Sequence, residues 1–209
     1  MVVVTIKNYI CINGENTEIT EEQLTEIEKI INTKLIRLKS IPTGETFKIQ
    51  NYEFIVLEHS EETTAVILKD LIFENNQFGK NNNYNCSEVD YICNSFGSEI
   101  EKIVDKRNVI EHTVDLTSDD GLKDYGKVRR YSSLLTTELY RRYVEILDKY
   151  KVKNDWWLAT PLSTLSHKHN EGVKCVSPHG SINSCYCYSV CGIRPFCVLN
   201  SDVVVRKKK

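Results

Sequence analysis

Asp155-Trp156-Trp157-Leu158-Ala159-Thr160-Pro161 carries both tryptophans of the 209-residue chain, side by side. Neighbouring residues of a strand point to opposite faces, so one indole should fill the core and the other should support the loops above it. About thirty residues later comes Gly192-Ile193-Arg194-Pro195-Phe196-Cys197-Val198-Leu199. Its glycine permits a close backbone approach, its proline ends local pairing, and Cys197-Val198-Leu199 reads as a further strand. Two strand-like anchors with a polar stretch between them predict a sheet rather than a helical bundle.

Upstream, Thr136 caps a helix whose buried face is Leu139, Tyr143, Ile146, Leu147 and Tyr150, and Ser133–Leu135 precedes it as a strand. Residues 115–126 read as a loop with a turn at Asp119-Asp120-Gly121. The regularly spaced oxygens and distal Glu of an EF-hand are missing, so a solvated turn is expected. Ser87 and Asp90 form a capping-box pattern ahead of Val89, Ile92, Cys93, Phe96, Ile100 and Ile103 at helical spacing, with Gly97 inside the helix. Asn75 to Asn85 is Asn-rich, has no apolar period and reads as a loop. Thr46–Ile49, Tyr52–Glu58 and Thr64–Leu68 predict an antiparallel meander after the turn Pro42-Thr43-Gly44.

The first 38 residues read as a separate appendage. Val4, Ile6, Ile10 and Ile12 mark one face of a strand, and Asn13-Gly14 supplies a type I′ turn. Thr20 with Gln23 then opens a helix striped by Leu24, Ile27, Ile30, Ile31 and Leu35. Such a unit is too small to stand alone, so it should pack on the main domain or on a copy of itself, giving a homo-oligomer through the N-terminal segment.

Composition bounds the function. Apolar residues make up 41% and charged residues 27%, which is globular and argues against long disorder. A net charge of -2 gives no reason to expect nucleic acid as a partner, and Arg206-Lys207-Lys208-Lys209 reads as a solvated tail. No run approaches the length of a membrane span, so no membrane insertion is expected. The N-terminus lacks the pattern of a signal peptide, so synthesis in the cytoplasm is expected, with exit by a route such as a virus particle. Five of the eight cysteines (Cys175, Cys185, Cys187, Cys191 and Cys197) crowd one C-terminal stretch.

The pairing of Trp156-Trp157-Leu158-Ala159-Thr160-Pro161 with Gly192 to Leu199 resembles a family of domains in Firmicutes and their phages. Their fold is related to that of C-type lectins and formylglycine-generating enzymes. The resemblance extends through Gly44-Glu45-Thr46-Phe47, residues 111–116 and Leu134-Leu135-Thr136, and covers most of residues 39–205. It implies an α+β chain: residues 1–38 as a hairpin–helix appendage and 39–209 as a C-type-lectin-like domain, with a small twisted antiparallel sheet and two flanking helices. Some members of this fold are variable proteins of diversity-generating retroelements. In these, error-prone reverse transcription at adenines rewrites a C-terminal stretch that ends near a Gly-x-Arg-Pro element. By that resemblance the variable region is about residues 160–192.

From His179 to Cys191, ten of thirteen residues are Asn, Ser, Cys, Tyr or His, the types an adenine-rich Asn codon yields when its adenines change. Lys, Glu, Gln, Met and Trp, which it never yields, are absent there. Ser166, His167, His169 and Asn170 follow suit, although Lys168 does not. Tyr with Ser and Asn is also the composition of a paratope: stiff amphipathic rings with adaptable hydrogen bonds. The expected binding surface is Ser166, His167, His169, Asn170, His179, Asn183, Ser184, Cys185, Tyr186, Cys187, Tyr188 and Ser189. Trp156, Trp157, Gly192, Arg194 and Pro195 are its scaffold. The expected ligand is a protein or glycan on a cell surface, bound by a phage-encoded protein.

Catalytic and metal chemistry have weaker support. His167-x-His169 with Cys185-x-Cys187 would make a His2Cys2 zinc set, but structural sites favour Cys-x2-Cys, so no metal and no cofactor are expected. The Glu-Pro-Asn-like triplet of calcium-dependent sugar binding does not occur. No phosphate loop, nucleophile elbow or His-Glu-x-x-His motif occurs. The Glu58-His59 and Glu111-His112 pairs are neighbours in sequence only. Cys185 and Cys187 are expected to be exposed thiols without a local cation to activate them. The expectation is therefore a non-enzyme. The alternative is a domain of fixed sequence with a structural role or a formylglycine-generating-like thiol oxidase activity.

Overall fold

The computed structural model describes residues 8–12, 15–31 and 35–207. The N-terminal unit consists of strands β1 (Asn8–Ile12) and β2 (Glu15–Ile19), paired antiparallel, and helix α1 (Glu21–Ile31). The expected capping box is present: the Thr20 amide donates to Gln23 Oε1 (2.9 Å) and the Gln23 amide to Thr20 Oγ1 (3.1 Å). Val4, Ile6 and the Asn13-Gly14 turn lie outside the described residues.

The expected boundary at residue 38 moves. Leu35, assigned to the stripe of α1, opens strand β3 (Leu35–Arg37), and Leu38 is fully buried in the main core. The meander follows as β4 (Thr46–Ile49), β5 (Tyr52–His59) and β6 (Thr63–Leu68), each antiparallel to the next. The start of the Asn-rich stretch is itself an edge strand, β7 (Phe73–Gln77), and not a loop. Helix α2 (Glu88–Val104) is capped by Ser87, whose Oγ accepts from the Asp90 amide. The Asp90 carboxylate has a different role: it accepts from the Cys86 amide and takes Arg130 as a two-pronged ion pair, both contacts at 2.7 Å.

Strands β8 (Val109–Ile110), β9 (His112–Asp115), β10 (Lys127–Arg130) and β11 (Ser132–Ser133) lead to helix α3 (Thr137–Leu147), capped by Thr136 Oγ1. The C-terminal part adds β12 (Trp156–Pro161), β13 (Gly172–Val176), β14 (Ile182–Tyr186), β15 (Val190–Ile193), β16 (Phe196–Asn200) and β17 (Val204–Lys207). The basic end is therefore not simply a solvated tail. Arg206 and Lys207 pair with β4, Val205 is buried, and Lys208 and Lys209 lie outside the described residues.

The chain is α+β, with more sheet than the small one expected. A curled antiparallel sheet has the order β11-β16-β6-β5-β4-β17-β3, with β8 also on β16. The second sheet, β14-β13-β12-β15-β7, contains one parallel pair, β12 with β15, where Trp156 meets Gly192. Strand alternation sorts the side chains into two layers. Phe54, Val56, Val66 and Cys197 face α2 with Phe96 and Ile100, and Trp157, Val173 and Ile193 face its first turns at Val89 and Cys93. Ile55, Leu57, Ile67, Trp156, Leu158 and Phe196 face α3 at Tyr140, Tyr143 and Leu147. Both tryptophans are buried, one on each side of β12, as their adjacency in a strand requires.

Candidate ligand-binding surface

Trp157 Nε1 donates to Asn76 O (2.8 Å), and Trp156 meets Tyr140 edge-on with ring centroids 5.7 Å apart. The Arg194 guanidinium lies 5.4 Å from the Trp156 ring centroid and is 1% exposed. It donates to Leu68 O (2.9 Å), Lys69 O (2.8 Å) and Tyr150 O (3.1 Å), so its charge is spread over three carbonyls. Burial lowers its pKa to about 10, which still leaves it charged at neutral pH. Gly192 sits where a Cβ would lie 2.3 Å from Leu71 Cδ1, and Pro195 is buried beside it. All five scaffold residues are interior.

Above this base, three loops meet at Asn82, which is fully buried. Its Nδ2 donates to Ser163 O (2.8 Å) and Gly172 O (2.9 Å), and its Oδ1 accepts from Tyr125 (2.7 Å). Its amide donates to Asn170 O (2.8 Å). Asn81 and Asn83, by contrast, accept from the amides two residues on, the local turn expected of Asn. Composition alone does not distinguish the three. Asn82 and Tyr125 are therefore positioning residues that sequence reasoning missed.

The acidic turn at 119–124 also does more than face solvent. The Asp120 carboxylate accepts from Ser118, Ser163 and His167, and Asp124 accepts from Thr164 and Ser166. Those hydrogen bonds, led by Ser118 and then Ser163, hold the Asp120 carboxyl well below the usual carboxylate range. Ser166 and then Thr164 do the same for Asp124. The loop carrying Ser166, His167, His169 and Asn170 is thus clamped at both ends. Its outer face presents His169, Lys168 and the exposed Leu165, while Ser166 and His167, also exposed, turn their polar atoms toward the acids.

The hairpin β13–β14 adjoins this loop. Tyr186 pairs with Gly172, whose carbonyl also accepts from the Leu162 amide. Tyr186 and Tyr188 are 57% and 54% exposed and stack nearly parallel, with centroids 5.1 Å apart. The turn beneath them is fixed to neighbouring strands: the Cys187 amide donates to Glu171 O (2.7 Å), the Phe78 amide to Cys187 O (2.8 Å) and Gln77 Nε2 to Tyr188 O (2.9 Å). Ser189, half-buried, completes the turn through its amide to Tyr186 O.

The expected surface is not one face. The pleat divides β14: Ser184 and Tyr186 point with Lys174 and Gly172, while Asn183 and Cys185 point with Cys175 and Val173. His179 lies in the turn before β14, held at α3 through Tyr140 and Gly180 O (2.7 Å). The length of β14, ~3.3 Å per residue, alone puts it ~13 Å or more from the tyrosines. The cysteines depart further. Cys187 is 2% exposed and Cys185 half-buried, because both turn into the apolar cluster around Trp157. Burial raises both thiol pKa values, that of Cys185 to about 12. His167, His169, Cys185 and Cys187 form no common cluster. Among the described residues the close grouping of metal-ligating side chains is Cys175, Cys185 and Cys191.

Comparison of the chain with protein-family models, with curated proteins and with solved structures found no match.

Proposed function

We propose that the chain is a ligand-binding protein of C-type-lectin-like fold, a variable protein of a diversity-generating retroelement encoded by a phage. Its ligand is a protein or glycan on a cell surface. One observation carries this reading. Side chains of the types that adenine changes produce crowd the exposed end formed by residues 162–170 and the Tyr186–Tyr188 stack. The base under them is interior and bonded through other residues. The surface chemistry can therefore change while the core contacts stay the same. The binding set contracts to Ser166, His167, His169, Asn170, Ser184, Tyr186, Tyr188 and Ser189, with His179, Asn183, Cys185 and Cys187 set apart by the pleat, the hairpin length and burial.

The thiol-oxidase alternative finds little support, because a reactive thiol needs a lowered pKa and burial raises those of Cys185 and Cys187. No helix among the described residues is long and apolar enough to cross a membrane. The hairpin of β1 and β2 is a two-stranded sheet of its own, marginal by itself, and we assign it to self-association of the chain.

The test is a binding screen of the native chain against an array of cell-surface glycans and purified envelope proteins, repeated with Tyr186→Ala/Tyr188→Ala. The double variant should lose the wild-type hits at an unchanged melting temperature. Identical hits for both proteins would refute the assignment of this surface.

A further inference from the structure

Cys175, Cys185 and Cys191 come from three different strands, β13, β14 and β15, yet their Sγ atoms all lie within 4.8 Å of one another. Cys175 and Cys191 are buried, and Cys185 is half-buried, which leaves the group a route to solvent. We propose that these three thiols form a binding site for a thiophilic d10 cation, with Zn2+ as the ion it takes.

The geometry suits that ion. Zinc–sulfur bonds are about 2.3 Å, so sulfurs sharing one zinc lie roughly 3.8–4.0 Å apart. The cluster needs at most a few tenths of an ångström to about 1 Å of closure, within reach of side-chain rotation. The backbones are already fixed. Cys175 lies opposite Trp157 on one side and Asn183 on the other, and Cys191 lies opposite Asn76. Thiolate donors select soft or borderline ions over Mg2+ and Ca2+. The Asp155 carboxylate is near enough to act on both Cys175 and Cys185, adding negative potential that favours a cation.

A disulfide between Cys175 and Cys185 fits less well. Cys185 is in register with Val173 and Cys175 with Asn183, so Cys175 and Cys185 are a diagonal pair. Diagonal neighbours are ~7–8 Å apart, beyond the usual Cα separation of a bridge. Binding would proceed without redox change: three S–Zn bonds form as three S–H bonds break, and three protons pass to solvent. The ion would join β14, an edge strand paired only with β13, directly to β15. It would thereby brace the turn that carries Tyr186 and Tyr188.

Cobalt is the probe. Titrating the reduced full chain with Co2+ should give a thiolate-to-cobalt charge-transfer band that saturates at one equivalent and is removed by Zn2+. Zn2+ should also raise the melting temperature of the wild type. Cys185→Ser, at a half-exposed position, should stay folded and lose both effects, whereas Cys86→Ser, at an exposed position elsewhere, should keep both. Cys175→Ser and Cys191→Ser should behave as Cys185→Ser does. If either fails to fold, the wild-type titration and Cys185→Ser decide. Absence of the band in wild type, or a band and a thermal shift that persist in Cys185→Ser, would overturn the site.

Discussion

Replacing Asn82 by Leu tests how the loop of residues 162–172 is held. The substitution keeps the branched heavy-atom skeleton but removes two donors and one acceptor from a fully buried position. Ser163 O and the Tyr125 hydroxyl then lose their partner together, while Gly172 O keeps the Leu162 amide. A buried polar group left unpaired costs about 1–3 kcal/mol. Partial relief by water at Tyr125, which is half-exposed, brings the expected total to about 3 kcal/mol, in the lower half of the range for two such groups. For a domain of this size that lowers the melting temperature by on the order of 6–12 °C. Thermal unfolding followed by circular dichroism measures the loss. Hydrogen exchange locates it: amide protection should fall across 162–172, while β5 and β6 keep theirs. Tyr125→Phe removes only the donor to Oδ1 and should cost about 1 kcal/mol. An Asn82→Leu protein that melts within about 1 °C of wild type, with unchanged protection at 162–172, would refute the reasoning.

Gly192→Ala places a methyl group 2.3 Å from Leu71 Cδ1, so overpacking should cost about 1–3 kcal/mol, and adding Leu71→Ala should make the second change nearly free. Burial holds the His112 pKa down at about 4, so the folded state keeps the ring neutral while the unfolded chain protonates near 6.5. Its contribution, about 3 kcal/mol, is therefore complete above pH 6.5, declines as pH falls and is gone below pH 4. Thermal melts of wild type and His112→Gln across that window should converge toward acid, and parallel curves would count against it. Trp156→Ala should cost about 3–5 kcal/mol as a buried indole, whereas Tyr186→Ala/Tyr188→Ala should stay within about 1 kcal/mol. Equal losses in urea unfolding would make the tyrosines packing residues.

Local signals were legible in the sequence. Thr20, Ser87 and Thr136 cap helices because capping is decided within four residues, and the meander from Thr46 to Leu68 shows alternation that the sheet preserves. The adjacent tryptophans told of a strand with two unlike faces for the same reason, but not that both faces are buried. What failed was decided at long range. Residues 75–77 of β7 read as loop because their partner, β15, lies more than a hundred residues away and the side chains of β7 are mostly exposed. Leu35 fits a helical stripe equally well until β17 pairs with it. Asn82 is one of four asparagines within residues 81–85, and only the tertiary fold selects it as the one that turns inward. A compositional run such as 179–191 has no ends in space, so His179 and Tyr186 read as neighbours although a strand separates them. The same limit hid the cysteine cluster, whose three members meet only across strands.

The central claim is that one end of the molecule varies while its base does not. The direct measurement is to sequence this gene and its flanking DNA across many isolates. A near-copy of the coding stretch for about residues 160–192, differing at adenines, is expected beside a reverse transcriptase gene. Amino-acid changes should be confined to exposed positions such as 169, 184, 186 and 188 and half-buried Asn170, and absent from Asn82, Trp156, Trp157, Gly192 and Arg194. Isolates with no such copy, and with changes spread evenly over base and surface, would contradict it.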